Sequence, residues 1–312
     1  MTRTGAAMMA LVPIMMACGC SDDFPPYSRL EALRILAIRA EPVAPAADET
    51  SHLDALVYLP PAQRADPSAA VYSWSWCPFP GDADSGYPCL ITEDQLASLT
   101  GQTVSFDLGA AATADLPLPL MDPSFWQRAC QGLPGLPLPS CDQGFPALVK
   151  VTVTTPTDQV TGIRTVRIRF REDQAANDNP IITGLFAVSA GATVQLDAAA
   201  SAILPRGRWT PIGAAVDPSQ AETYQQIDPT GLPSIQTERL ILSWFVETGN
   251  LKFERTEFID GSTTLEAAST NGWQPFRASY YPPDTAGVFV VLRDDRDGIS
   301  WAQGVASLEA PP

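Results

Sequence analysis

Residues 71–77, Val-Tyr-Ser-Trp-Ser-Trp-Cys, alternate without a break: Tyr72, Trp74 and Trp76 fall on one side and the serines on the other. Successive side chains of a β-strand point to opposite faces, so an aromatic at every second residue suits a strand with one buried face. The same period returns at Val166, Ile168 and Phe170, with Arg167, Arg169 and Arg171 opposite them. Thirty prolines in 312 residues work against long helices. The chain is expected to be all-β.

Strands are expected over 33–39, 53–58, 71–77, 148–154 and 165–171, and again over 181–188, 193–199, 240–246, 252–258, 288–293 and 299–308. Pro156 to Gly162 supplies one hairpin turn. Asp294-Asp295-Arg296-Asp297-Gly298 supplies another, with Gly298 taking a positive φ. The stretch 78–147 reads as irregular, with two short helices. Thr92-Glu93-Asp94-Gln95 has the form of a capping box, and Asp122-Pro123 pairs a cap with proline at the first helical position. Asp217-Pro218 is expected to open a third short helix towards Gln226. Asn177-Asp178-Asn179-Pro180 breaks the strand pattern and marks a boundary. This divides the body into modules 30–172 and 181–312 joined by a linker at 173–180. Each half has a Trp-bearing middle strand (Trp74 and Trp76; Trp244) and a closing hairpin.

The first residues carry one charge, Arg3, before an apolar run from Ala6 to Ala17. That run falls short of the about 20 residues a membrane-spanning helix needs, and a basic start, an apolar stretch and small residues together read as a secretory signal. Met15-Met16-Ala17-Cys18-Gly19-Cys20 resembles the lipobox of bacterial lipoproteins. The resemblance implies diacylglyceryl transfer to a cysteine thiol, cleavage before that cysteine and acylation of the new N-terminus. Cys18 has Met15 at −3 and Ala17 at −1; Cys20 has Ala17 and Gly19, and the polar Ser21-Asp22-Asp23 follows it at once. One of the two is the lipidation site, with 1–20 the signal segment and 21–29 a tether. An exported protein held at the bacterial envelope, at the outer membrane, is expected.

Thirty-five acidic against nineteen basic residues leave a formal net charge of −16. Such a chain lacks the basic face that nucleic-acid phosphates require, and it gains nothing from anionic headgroups, so membrane contact is expected through the lipid. Beyond the lipobox, four cysteines remain: Cys77, Cys89, Cys130 and Cys141. An even number in an exported chain suggests disulfides. Three pairings are possible; the short loops favour sequential closure, stapling the stretch 78–147 to the strands around it.

At the Trp-bearing strands the pattern resembles bacterial immunoglobulin-like or fibronectin-like modules, which pack a central-strand tryptophan between two sheets. The resemblance covers about 30–172 and 178–310 and implies two tandem β-sandwiches. The Cys–Trp–Cys spacing of true immunoglobulin domains is absent, because Cys77 lies on the Trp strand itself. The lipobox together with Leu33–Pro42 (LRILAIRAEP) and Ser73–Pro80 (SWSWCPFP) is also similar to lipoproteins numerous in myxobacteria. That group implies placement and no mechanism.

Asn177-Asp178-Asn179-Pro180 resembles the calcium linker between cadherin domains, which makes Asp178 and Asn179 candidate calcium ligands. A plain linker turn explains the same residues more simply, and no bound metal is expected. Asp294, Asp295 and Asp297 form a second acidic cluster that reads as a solvated hairpin tip. Trp126, Trp209 and Trp273 fall in segments read as irregular and are the tryptophans with a claim to stacking on sugars; the others sit on alternating strands and read as core. His52 is the only histidine, and there is no GxSxG, HExxH, P-loop or GxGxxG to nominate a catalytic residue or a cofactor. A non-enzymatic, lipid-anchored spacer or adhesion and interaction module is expected, with an envelope protein or polysaccharide as partner. A carbohydrate-binding or polysaccharide-active surface protein is the alternative.

Overall fold

The computed structural model describes residues 26–64, 66–117, 122–172, 174–200, 202–227, 232–276 and 284–310. Cys18 and Cys20 lie outside the described residues. The fold is mostly β, as the alternating runs require, and its helices are short.

Two sheets form the N-terminal half. One joins Arg34–Glu41 (β1), Thr50–Tyr58 (β2) and Thr113–Pro117 (β5) in the order β1-β2-β5. The other joins Asp107–Gly109 (β4), Val71–Cys77 (β3), Phe145–Thr154 (β6) and Gln159–Ile168 (β7) in the order β4-β3-β6-β7. All their pairings are antiparallel. The facing sides interdigitate as one core, in which Leu53, Trp74, Val149, Val151, Val166 and Ile168 are fully buried. Trp74 and Trp76 satisfy their indole N–H groups on the carbonyls of Ala111 and Ser105, at 3.0 and 2.8 Å.

The C-terminal half repeats the plan with two five-stranded sheets. The first runs β10-β19-β18-β14-β16, from Ile203–Leu204 (β10), Ile299–Leu308 (β19), Thr285–Arg293 (β18), Leu240–Val246 (β14) and Arg255–Phe258 (β16). The second runs β15-β17-β11-β8-β9, from Asn250–Leu251 (β15), Thr270–Gln274 (β17), Thr210–Val216 (β11), Ile182–Ser189 (β8) and Ala192–Gln195 (β9). Trp244 and Trp273 lie in the core between them. A hairpin of Thr223–Ile227 (β12) and Pro233–Thr237 (β13) stands apart.

The stretch 78–147 is more ordered than its composition suggests, since it contributes β4 and β5 as well as Glu93–Thr100 (α2) and Pro123–Gln131 (α3). The remaining helices, Pro61–Arg64 (α1) and Leu265–Ala268 (α4), are single turns. Both expected caps form: Thr92 and Gln95 close a reciprocal capping box, and Asp122 accepts from Ser124 N. The helix expected after Asp217 is only a 3₁₀ turn at Pro218–Gln220, because β12 begins at Thr223. The expected turn at 156–162 is tighter, with Thr155 N donating to Asp158 O at 2.8 Å. Both disulfides close sequentially, Cys77–Cys89 and Cys130–Cys141.

A third apolar cluster joins the halves. Leu36, Ala37, Leu56 and Tyr58 from β1 and β2 pack against Phe245, Phe289 and Val291 from β14 and β18. These strands are buried on both faces: Val288, Val290 and Leu292 face their own core while Phe289 and Val291 face the other half.

The free side of β1 is closed in an unusual way. β1 is an edge strand, and edge carbonyls without partners are costly when buried. Three of them, two residues apart, accept side-chain hydrogen bonds: Leu36 O from Arg293 Nη2 at 3.0 Å, Ile38 O from Arg164 Nη1 at 2.7 Å, and Ala40 O from Asn179 Nδ2 at 2.9 Å. The donors come from β18, β7 and the stretch between the halves. Arg164 is 7% exposed and also donates to Asp297 O at 2.6 Å. Burial pushes its pKa down to about 10, so it stays charged at neutral pH.

Candidate functional site

The two acidic segments singled out in the sequence, 177–180 and 294–298, meet at this junction. Asn177 Nδ2 donates to Asp294 Oδ2 at 3.0 Å and to Arg296 O at 3.1 Å. Asn179 Oδ1 accepts from Ile299 N at 2.8 Å. Asp294 also ties its own turn, accepting from Arg296 N at 2.8 Å and from Gly298 N at 2.6 Å. It is therefore buried rather than solvated, and burial raises its pKa. The left-handed residue of the turn is Asp297, with φ 76°, and not Gly298. Gly298 is needed for close approach: a Cβ there would sit 2.0 Å from Asp294 Oδ2 and 2.8 Å from Asp178 O.

Arg296 is the hub of the polar network. Its Nη1 pairs with Glu238 Oε1 at 3.0 Å and lies 3.8 Å from Glu222 Oε2. Its Nη2 donates to Ala176 O, and its guanidinium lies 4.8 Å from the centre of the Tyr224 ring. Glu238 is 1% exposed. Burial, then the neighbouring Asp294 carboxylate, push its pKa up to about 7 against the pull of Arg296. Burial raises Glu222 as well. A guanidinium thus occupies the centre of a carboxylate cluster where a calcium site would put its ion. Of the candidate calcium ligands, Asp178 is exposed and Asn179 has its amide oxygen and nitrogen both engaged. Among the described residues no group of three or more His, Cys, Asp or Glu side chains is placed to hold a metal ion.

Beside this network lies a cleft of about 620 Å³, lined by Arg167, Arg171, Gln174, Asn177, Tyr224 and Arg296 among others. Its guanidinium groups are engaged: Arg167 Nε pairs across the junction with Asp297 Oδ2 at 2.8 Å, Arg171 reaches Asp142 O within its own half at 3.4 Å, and Arg296 is held as above. His52 pairs with Asp115 at 2.9 Å on the exposed surface, across β2 and β5.

The tryptophans separate sharply. Trp126 lies on α3 and Trp273 on β17, not in irregular segments, and both are 0% exposed. Both are therefore core residues, and Trp273 Nε1 donates to Thr248 O at 2.8 Å. Trp209, one residue before β11, is 53% exposed. Lys252, whose backbone N donates to Gly272 O at 2.8 Å, shares the Gly272 surface with it, and Phe253, next in the chain to Lys252, is 50% exposed. Asn271 clamps the Phe253 backbone, donating to its carbonyl at 2.7 Å and accepting from its N–H at 3.2 Å. A Cβ at Gly272 would lie 3.3 Å from Trp209 Cε3 and 3.4 Å from Lys252 Cβ, so the glycine lets both side chains lie against the sheet. The sequence nominates Trp209 but not its neighbours, because Gly272 follows a turn-forming Asn and Lys252 and Trp209 are some 20 and 60 residues away from it.

No known protein family matches the chain, and no curated protein matches it. Solved structures with similarity include three N-terminal domains of the highly immunogenic outer capsid protein of bacteriophage RB49, at 10% identity and TM-score 0.19, covering 89% of this chain and 59% of that one. Escherichia coli alpha-2-macroglobulin activated by porcine elastase is another, at 9% identity and TM-score 0.20, covering 91% of this chain and 22% of that one. The chain spans less than two thirds of the length of each.

Proposed function

We propose that this protein is exported and lipid-anchored to the bacterial envelope through Cys20 or Cys18, and that two immunoglobulin-like β-sandwich modules act there as a non-enzymatic spacer or interaction surface. The observation that carries the spacer role is the closure of the β1 edge by Arg293, Arg164 and Asn179. Arg293 of the C-terminal half and Asn179 of the stretch between the halves hold backbone carbonyls of the N-terminal half, which suits a stiff support better than a hinged clamp. The lipobox supports the anchor. Among the described residues no helix is long and apolar enough to cross a membrane. Mass spectrometry of the membrane fraction tests the anchor: an acylated N-terminal cysteine is expected, and an unmodified N-terminus at Ala17 or Ser21 overturns it. One observation favours the alternative of a carbohydrate-binding surface protein, namely the exposure of Trp209 and of Phe253.

A further inference from the structure

We propose that Trp209, Lys252 and Phe253 form a binding platform for an acidic polysaccharide carrying uronate carboxylates. The proposal rests on the carbohydrate-binding alternative above and names its ligand class and residues. Aromatic side chains carry large apolar area, and this fold places Trp74, Trp126, Trp244 and Trp273 out of solvent. Trp209 and Phe253 instead leave about half of their surface in water, at 53% and 50%. Covering the bare backbone of Gly272 accounts for the inner side of Trp209. It accounts neither for the outer side nor for Phe253. The outer side of an indole held against a sheet offers the apolar C–H face of a pyranose a rigid surface, and the paired strands beneath hold the spacing fixed.

The charge selects the ligand. Lys150 and Lys252 are the only lysines. Lys150 donates to Gly86 O, whereas the Lys252 ammonium has no hydrogen bond or ion pair among the described residues and lies 5.3 Å from the Phe253 ring centre. Arg208, next to Trp209, is exposed. The nearest acid in sequence, Glu254, is engaged by Ser28 Oγ at 3.3 Å. An exposed ammonium beside an aromatic ring, on a stem that shares the Gly272 surface with Trp209, fits a carboxylate borne on a sugar ring. Two rings fall well short of the roughly 800 Å² per partner of a stable protein interface, which leaves a small ligand unit such as a sugar ring rather than a second protein.

Affinity electrophoresis of the detergent-purified full chain through gels containing alginate tests the proposal, with uncharged dextran as the comparison. Alginate is expected to retard the protein, more at low salt than at high. Trp209→Ala and Lys252→Gln are each expected to weaken the apparent affinity about tenfold, with Phe253→Ala similar. Should Trp209→Ala fail to fold, judged by its melting temperature, Lys252→Gln and Phe253→Ala carry the test alone. An unretarded wild-type chain, or variants retarded like wild type, overturns the proposal. Equal retardation by dextran and alginate, lost in Trp209→Ala, overturns the acidic ligand while leaving a saccharide-binding role in place.

Discussion

At Gly298 a single hydrogen atom decides whether the junction closes. The added methyl of Gly298→Ala would enter the space of the Asp294 carboxylate and the Asp178 carbonyl, and the carboxylate is fixed by hydrogen bonds from Asn177, Arg296 N and Gly298 N. Overpacking at a buried polar contact costs on the order of 2–4 kcal/mol, and urea unfolding of the variant is expected to show a loss of that size. Glu238 makes a different prediction. Its folded pKa, about 7, lies above the ordinary 4.5, so the folded state favours its protonated form. Its contribution to stability is fully present below about pH 4.5 and is lost as pH rises through 7, a change of roughly 3 kcal/mol. Asp294 and Glu222 are raised by burial and act with the same sign. Urea midpoints are therefore expected to fall between pH 5 and 8, and Glu238→Gln is expected to flatten that slope. Equal slopes in the two proteins would refute the assignment to Glu238.

The elements explain what the sequence made legible and what it hid. β3, β14 and β19 fall where local alternation or apolar runs place them, and α2 and α3 begin at their side-chain caps, because both signals are local. β11 and β17 were hidden by their own residues: Pro211 and Gly213 in one and Asn271-Gly272 in the other are turn formers, tolerated here because the ladder and the Trp273 side chain outweigh them. β18 carried a signal that local alternation does not use. Gly287-Val288-Phe289-Val290-Val291-Leu292 does not alternate, and a continuous apolar run means burial on both faces, which is how Phe289 reaches the junction. The Arg296 network was out of reach, since its partners lie 58 and 120 residues away. The disulfides act at this scale too. Cys130 sits near the end of α3 and Cys141 in the loop leading to β6, so their bond holds Trp126, with Phe125 packed edge-on against it, against Phe145. Replacing both cysteines with serine is expected to lower stability by about 2–4 kcal/mol, read from urea midpoints under oxidising conditions; an unchanged midpoint would mean that the core alone positions α3.

For the molecule as a whole, the junction decides whether two cores behave as one. The two halves share an apolar cluster with Tyr58, Phe245, Phe289 and Val291 at its centre. Arg64 of α1 pairs with Glu247, whose other carboxylate oxygen accepts from Gly287 N at 2.6 Å, and Arg39 lies 4.7 Å from the Trp301 ring centre. If either half unfolded alone, these apolar side chains would be exposed and the Arg293 bond to the Leu36 carbonyl would be lost. Scanning calorimetry is therefore expected to give one cooperative transition. Phe289→Ala is the informative change, because Phe289 faces the other half and not its own core. It is expected to cost about 3 kcal/mol and to split the transition in two as the halves uncouple. Two transitions already present in the wild-type chain would mean that the apolar cluster is too small to couple the cores, and that the stiffness of the molecule rests on the arginine and asparagine caps of β1 alone.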